Sequence, residues 1–280
     1  MIERAKVGAA AGLDFLSLGD QHVTPTPYFQ NVPMLARLVA VWPDNPKRQV
    51  GCLFLLPLWH PVLVAEQVAT LSSLHPGRFI LQTGIGGGAH TFAAMGASLR
   101  TRGRDIDESI RIIDALLAGE KVDSERFGLS RARISPVPEK PVEWWLGGHS
   151  DAALDRAARL GADLYIGPGS IESVRDITER FSHACDRHGT SANRVVARAD
   201  VIVADRSVAA IELAEGIFDT GYRGMSMADV VVGDTATVSA RFAALAELGV
   251  TDIAVRQMRV DQPVALRSIE LLAEIRAQLA

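Results

Sequence analysis

An α/β fold of the (β/α)8 TIM-barrel kind is what the sequence predicts, and three observations carry that reading. Short apolar, β-rich runs alternate with segments of helical spacing along the whole chain. Such alternation is the pattern of parallel strands joined by helical crossovers. The length of 280 residues suits one large α/β domain, and a barrel of this kind uses about 250. No linker-like or low-complexity stretch divides the chain, so a single domain over 1–280 is expected, with inserts near 120–141 and 220–233.

Taken in order, the runs read as buried strands are 14–18, 49–55, 78–83, 142–146, 162–166, 195–203 and 252–256. Helical spacing and good helix formers mark 2–11, 31–41, 62–74, 102–118, 151–160, 171–188, 207–219, 234–248 and 264–279. Seven strands behind a leading helix fall one short of eight, and the missing strand would stand ahead of Ile2. The insert 120–141 contains three prolines. Both inserts exceed ordinary connections, which makes them candidate lids or edge hairpins.

Composition narrows the function. Hydrophobic residues at 48% and charged residues at 22% exclude a disordered chain and a fibrous repeat. A formal charge of −4 gives no electrostatic footprint for nucleic acid. Cys52 and Cys185 are too few and too far apart for a disulfide framework or a cysteine metal site. No apolar run reaches the roughly 18 residues of a membrane helix, and the start is no secretory signal. The expectation is a cytoplasmic globular enzyme with no nucleic-acid or membrane partner.

Glycines punctuate the strand ends. Gly84-Ile85-Gly86-Gly87-Gly88-Ala89 satisfies the dinucleotide pattern G-x-G-x-x-G/A. That fingerprint needs a second strand ending in an acid about 20 positions on, and the segment there is polar. The glycines are therefore read as a tight turn or a close backbone approach to a flat ligand. Gly147-Gly148-His149-Ser150 and Gly167-Pro168-Gly169-Ser170 each lead into a helix, with Ser150 and Ser170 as candidate N-caps. Amides at such helix starts suit a phosphate, though Asp151 would repel one, and two ordinary βα turns explain the spacing equally well.

The first predicted strand ends in Leu18-Gly19-Asp20-Gln21-His22. In a barrel the C-terminal strand ends form the active face. His22 can exchange a proton near neutral pH and Asp20 can orient it; a loop histidine with a capping aspartate is the alternative. His90 is a further pocket candidate, His60 before Pro61 is read as structural, and His75, His183 and His188 as solvated. No His-x-His ends a strand, and His-Glu-x-x-His and Gly-x-Ser-x-Gly are absent. A borrowed cofactor is the economical source of chemistry.

The motifs in their order resemble the bacterial luciferase-like superfamily of flavin-dependent monooxygenases and coenzyme F420 (deazaflavin) oxidoreductases. The resemblance starts with Ala-Gly-Leu-Asp-Phe-Leu-Ser-Leu-Gly-Asp-Gln-His at 11–22 and Leu-Leu-Pro-Leu-Trp-His-Pro-Val at 55–62. It continues through 65–71, Gly-Arg-Phe-Ile-Leu-Gln-Thr-Gly at 77–84 and Phe-Ala-Ala-Met-Gly at 92–96. Arg102 with Asp107 and Glu108, Gly147 and Gly148, Val-Gly-Asp-Thr at 232–235 and Leu-Gly-Val-Thr-Asp at 248–252 complete it. It implies a TIM barrel of luciferase-like type in which 14–18 is the second strand. A chain starting at Met1 then lacks the first β-strand, through a late assigned start, a truncation or an altered barrel wall.

The resemblance also implies site residues. Asp20 takes the place of the family's acid and Gln21 that of a histidine often used as base, a role a glutamine cannot fill at neutral pH. His22 stands where some members carry a second histidine. A cis peptide against the cofactor ring would fall at Leu53–Phe54. Gly84, Gly86 and Gly87, with His90, would edge the ring pocket. Gly147, Gly148, Gly167, Gly169 and Ser170 would form the cofactor-phosphate region. Gly87, Gly167 and Ser170 replace the glutamate, threonine and lysine of the deazaflavin sugar-phosphate dehydrogenases, so that substrate is not expected. Phe15, Leu53, Phe54, Trp59 and Trp144 suggest an apolar or aromatic small-molecule substrate, or barrel core. The implied cofactor is FMN (as reduced flavin) or coenzyme F420, with a flavin reductase or F420-reducing enzyme as partner. A homodimer would form through the second and third helices, where Leu35, Leu38, Val41, Val64 and Val68 either offer apolar contact or face the barrel. Gln21 and the absent strand fit an alternative, a noncatalytic flavin-binding relative.

Overall fold

The computed structural model describes residues 1–191 and 194–279. Its contacts gather into two compact units, Asp14–Gly147 and the pair of segments Met1–Leu13 and Gly148–Ala280. After α1 (Ile2–Ala10), the first unit runs β1 (Phe15–Leu18), α2 (Asn31–Val39), β2 (Gln49–Leu55), α3 (Pro61–Ser72) and β3 (Phe79–Gly84). A short α4 (Ala89–Ala94), α5 (Arg102–Leu117), a hairpin β4 (Val122–Ser124) and β5 (Leu129–Ala132), and β6 (Glu143–Gly147) complete it. The strands pair in parallel in the order β1-β2-β3-β6, as the alternation of strand and helix predicts.

Register assigns the two faces of this sheet. Cys52, Leu81 and Trp144 are register partners on one face, and Leu53, Gln82 and Trp145 on the other. Trp144 donates its indole N–H to Asp114 of α5 at 3.2 Å, so helices cover its face. The expectation that Trp144 looks into a pocket is corrected. Trp145 instead holds the opposite face, edge-on to Phe15 with ring centroids 5.1 Å apart. Its N–H donates to Glu143 Oε1 at 2.8 Å, Glu143 Oε2 accepts from Gln49 at 2.7 Å, and Gln82 donates to Ser17 at 3.3 Å. That face mixes the hydrogen-bonded Gln49, Gln82 and Glu143 with the apolar Phe15, Leu53 and Trp145, and its polar groups find partners.

Leu35, Leu38, Val64 and Val68 are buried within this unit. Each buried aliphatic side chain contributes about 1.5–3 kcal/mol. The structure therefore takes the option of packing them inward, and the apolar contact surface they were expected to offer a second copy is consumed. His75 is also a correction. It is buried, its Nδ1 accepts the Gly77 N–H at 3.0 Å and its Nε2 meets the Pro43 carbonyl at 3.0 Å. The ring thus needs the Nε2–H form. The insert near 120–141 is the edge hairpin, β4 antiparallel to β5. It is fastened to α5 by Arg111 on the Asp123 carbonyl at 3.0 Å and by the Arg126–Asp105 ion pair.

The second unit contains α1, then α6 (Asp151–Leu160), β7 (Asp163–Ile166), α7 (Ile171–His188), β8 (Val195–Val203), α8 (Ser207–Asp219), β9 (Val231–Gly233), α9 (Thr235–Ala246), β10 (Asp252–Gln257) and α10 (Gln262–Leu279). β7, β8 and β10 are parallel neighbours. The insert near 220–233 ends in β9, a strand absent from the sequence reading, which pairs with the end of β8. Three residues are too few to show a period of two. α1 packs on α10, where Arg4 donates to Gln262 at 2.9 Å. Among the described residues no helix is long and apolar enough to cross a membrane.

Candidate functional site

Asp20 is the centre of the first unit's polar constellation. It follows β1, and its side chain is 1% exposed. Oδ2 accepts two hydrogen bonds at 2.8 Å, from the Leu55 amide and from the Trp59 indole N–H. The β1–β2 ladder ends at Leu18 and Cys52, so the carboxylate takes over an amide that the strand no longer reaches. Charge-assisted bonds of this kind contribute about 1.5–3 kcal/mol each. His22 Nε2 lies 3.0 Å from Asp20 Oδ1, in contact but off the hydrogen-bond line, and among the described residues neither atom has a hydrogen-bond partner. The ring also stands edge-on to Trp59 at 5.4 Å. The structure thus joins Asp20 and His22, as the sequence reading paired them.

Gln21 is half-buried, and its carbonyl accepts from Gln30 at 3.4 Å. Val23 follows at φ +50°, a left-handed conformation that a β-branched residue adopts at a cost of about 1–3 kcal/mol. Asn31 escaped the sequence reading. It is buried, donates to the Leu53 carbonyl at 2.6 Å and accepts from Val32 at 2.8 Å. An asparagine at a helix start was the available signal, but it reads as an ordinary cap.

Leu53 and Phe54 part company. Leu53 is half-buried on the Gln82 face, whereas Phe54 is fully buried, edge-on to Trp59 at 5.3 Å. Among the described residues the cis peptide joins Ser135 to Pro136, so the Leu53–Phe54 bond is trans, correcting the expectation there. The turn after β3 is open. Gly86 and Gly88 have φ of +67° and +86°, and among the described residues no atom stands within 4 Å of where a Gly87 Cβ would be. A Cβ on Gly84 would touch Leu55 at 3.3 Å. His90 is exposed in α4, the helix the sequence reading missed because it has only six residues. Burial, then the Asp20 charge, pushes the Cys52 thiol far up, which leaves it inert. Beside Trp59 lies a depression of about 740 Å³, walled by His60, Met95, Asp105, Glu125, Arg126 and Phe127.

Gly147 closes β6 in this unit; the remaining predicted residues belong to the second. A Cβ on Gly148 would stand 2.3 Å from that of Ala153, so the turn into α6 admits only glycine. Ser150 makes no side-chain cap, but Ser170 Oγ accepts the Ser173 N–H at 3.2 Å. Gly167 is exposed, and Arg241 donates to the Gly169 carbonyl at 3.1 Å. Asp229 is held below the usual carboxylate range by the Ser226 backbone and hydroxyl, and further by the Ser170 backbone and the Arg241 charge. A carboxylate of this chain therefore already answers the start of α7, where the resemblance puts a phosphate. Its stabilising contribution is present above the ordinary aspartate pKa and lost as pH falls through the depressed value. Asp229→Asn is expected to flatten that part of an acid-unfolding curve, and an unchanged curve would refute it. Among the described residues no group of three or more His, Cys, Asp and Glu could hold a metal ion.

The model of the luciferase-like monooxygenase family matches residues 1–228. The chain belongs to this family. An uncharacterized Mycobacterium tuberculosis protein is 36% identical over 136 residues, which are 48% of this chain and 47% of that relative. The chain thus matches about half the length of such a relative. Among solved structures, an F420-dependent secondary alcohol dehydrogenase in complex with an F420-acetone adduct aligns with TM-score 0.81 at 15% identity, covering 98% of this chain and 92% of that one. The oxygenating constituent of 3,6-diketocamphane monooxygenase from Pseudomonas putida, in complex with FMN, aligns at 0.78 and 19%, covering 99% and 91%. Those likenesses show the luciferase-like TIM fold.

Proposed function

We propose that the protein is an oxidoreductase of the luciferase-like family, using FMN or F420 on a small, apolar organic substrate. The observation that carries this is the buried Asp20 with His22 against it, at the C-terminal end of β1. In an α/β barrel that end of a strand serves catalysis.

The residues of the first unit fit a flat ring system. The Gly87 backbone is open, and half-buried Leu53 and Leu55 supply apolar surface next to Gly84. Gly84, Gly86 and Gly87 with Leu53 would hold the ring edge. When bound, a flavin or deazaflavin supplies the two-electron redox chemistry. The Asp20 charge lies 3.0 Å from His22 Nε2 and favours a ring turned with that nitrogen toward it, which leaves Nδ1 as the nitrogen that takes or gives a proton. Trp59 and Leu55 fix Asp20 in turn, and the surrounding apolar side chains exclude water.

Titration with FMN, reduced FMN and F420, followed by tryptophan fluorescence, tests the reading; no binding of any of them would sink it. With the cofactor found, His22→Ala is expected to lower kcat about 10²–10⁴-fold with little change in KM. Gln21→Ala should act much less. Gln21 also supports a second reading, a flavin-binding relative without catalysis; turnover with a reducing partner separates the two. The proposal includes a homodimer, which a monomer in sedimentation at micromolar concentration would refute.

A further inference from the structure

The second unit carries a charge arrangement that the proposed chemistry does not use. Asp200 is fully buried on β8. Arg198, two residues earlier on the same face, donates from Nε to its Oδ1 at 2.8 Å, and the Tyr222 hydroxyl donates to Oδ2 at 2.8 Å. Tyr165 of β7 shares that face by register with Val196 and hydrogen-bonds Arg198. Arg256 of β10 is the register partner of Asp200. Arg223 follows Tyr222 directly, so the anchoring of Tyr222 on Asp200 holds Arg223 beside the group.

One carboxylate therefore serves three guanidiniums, and both of its oxygens are engaged by Arg198 and Tyr222. Among the described residues the side chains of Arg223 and Arg256 make no hydrogen bond or ion pair. Arg223 reaches the surface, but partial burial, then the charges of Arg256 and Arg198, holds it below the usual arginine range. Burial and the Asp200 charge push Tyr222 up to about 12, so it remains a neutral donor and adds no negative charge. Like charges gathered at the edge of a low-dielectric region repel one another. An anion accepting from both forks would relieve that repulsion.

We propose that Arg223 and Arg256, backed by the Arg198–Asp200–Tyr222 network, form a binding site for the oxyanion group of a small ligand, a carboxylate or a phosphate. Arg198 and Tyr222 are positioning residues; Arg223 and Arg256 contact the anion. The site stands independently of the redox reading, since it binds without cofactor or turnover.

Calorimetric titration of the full chain with inorganic phosphate and, separately, with malonate at low ionic strength tests it. One or both should bind, and each of Arg223→Met and Arg256→Met should weaken binding at least about tenfold. Arg267→Met, which removes a surface partner of Asp205, should leave it unchanged. Phosphate binding alone would assign a phosphate ester, malonate alone a carboxylate. Circular dichroism establishes that the variants fold. No binding of either anion at about 10 mM overturns the proposal. Equal weakening by Arg267→Met also overturns it, because diffuse attraction would then explain the binding.

Discussion

Asp20→Ala is expected to lower the unfolding free energy by about 3 kcal/mol. The substitution leaves the Leu55 amide and the Trp59 indole N–H without their 2.8 Å acceptor. A buried donor left unsatisfied costs about 1–3 kcal/mol. His22 loses its contact with the carboxylate at the same time, so any His22-dependent activity should fall with the stability. Asp20→Asn keeps one acceptor oxygen and should lose about 1 kcal/mol. Urea unfolding followed by tryptophan fluorescence measures both. Equal midpoints for wild type and Asp20→Ala would show that the carboxylate does not hold the end of β2.

Gly77→Ala should be at least as damaging, at about 3 kcal/mol or more. A Cβ there would stand 1.7 Å from the Arg48 carbonyl oxygen and 3.0 Å from the His75 ring. The obstacle is backbone, so no rotamer change relieves it. The Gly77 amide also bonds His75 Nδ1, and a shifted turn would orphan that buried ring. Gly216→Ala is the control, because among the described residues nothing lies within 4 Å of its Cβ position and it sits inside α8. There alanine should stabilise by about 0.5–1 kcal/mol. A Gly77→Ala midpoint matching wild type would mean that the turn before β3 yields easily.

Legibility differed from residue to residue. All seven strands read from the sequence are present, with ends shifted by a residue or less, and the nine helices likewise match within two residues. Ser170 was recognisable as a cap because capping is decided three residues away. The pairing of Asp20 with His22 was readable for the same reason. Asn31 was opaque, since its partner carbonyl lies 22 positions on. His75 looked solvated because it follows a helix end, yet Pro43 and Gly77 enclose it. The three arginines are spread over 198–256, and no spacing rule links them.

Fold class, family and the order of the longer elements follow from local signals along the chain. Hydrophobic period, capping residues and glycines at strand ends act within a few residues, where one chain carries all the information needed. Which of two adjacent tryptophans faces the helices is settled by long-range strand pairing. Trp144 and Trp145 have the same local surroundings, and a period of two says only that they point opposite ways. Register with β3 breaks that tie. The same holds for Asp20, whose role comes from Leu55 and Trp59, 35 and 39 residues away. Buried charges are satisfied by whatever donors packing brings to them, and packing is a property of the whole chain.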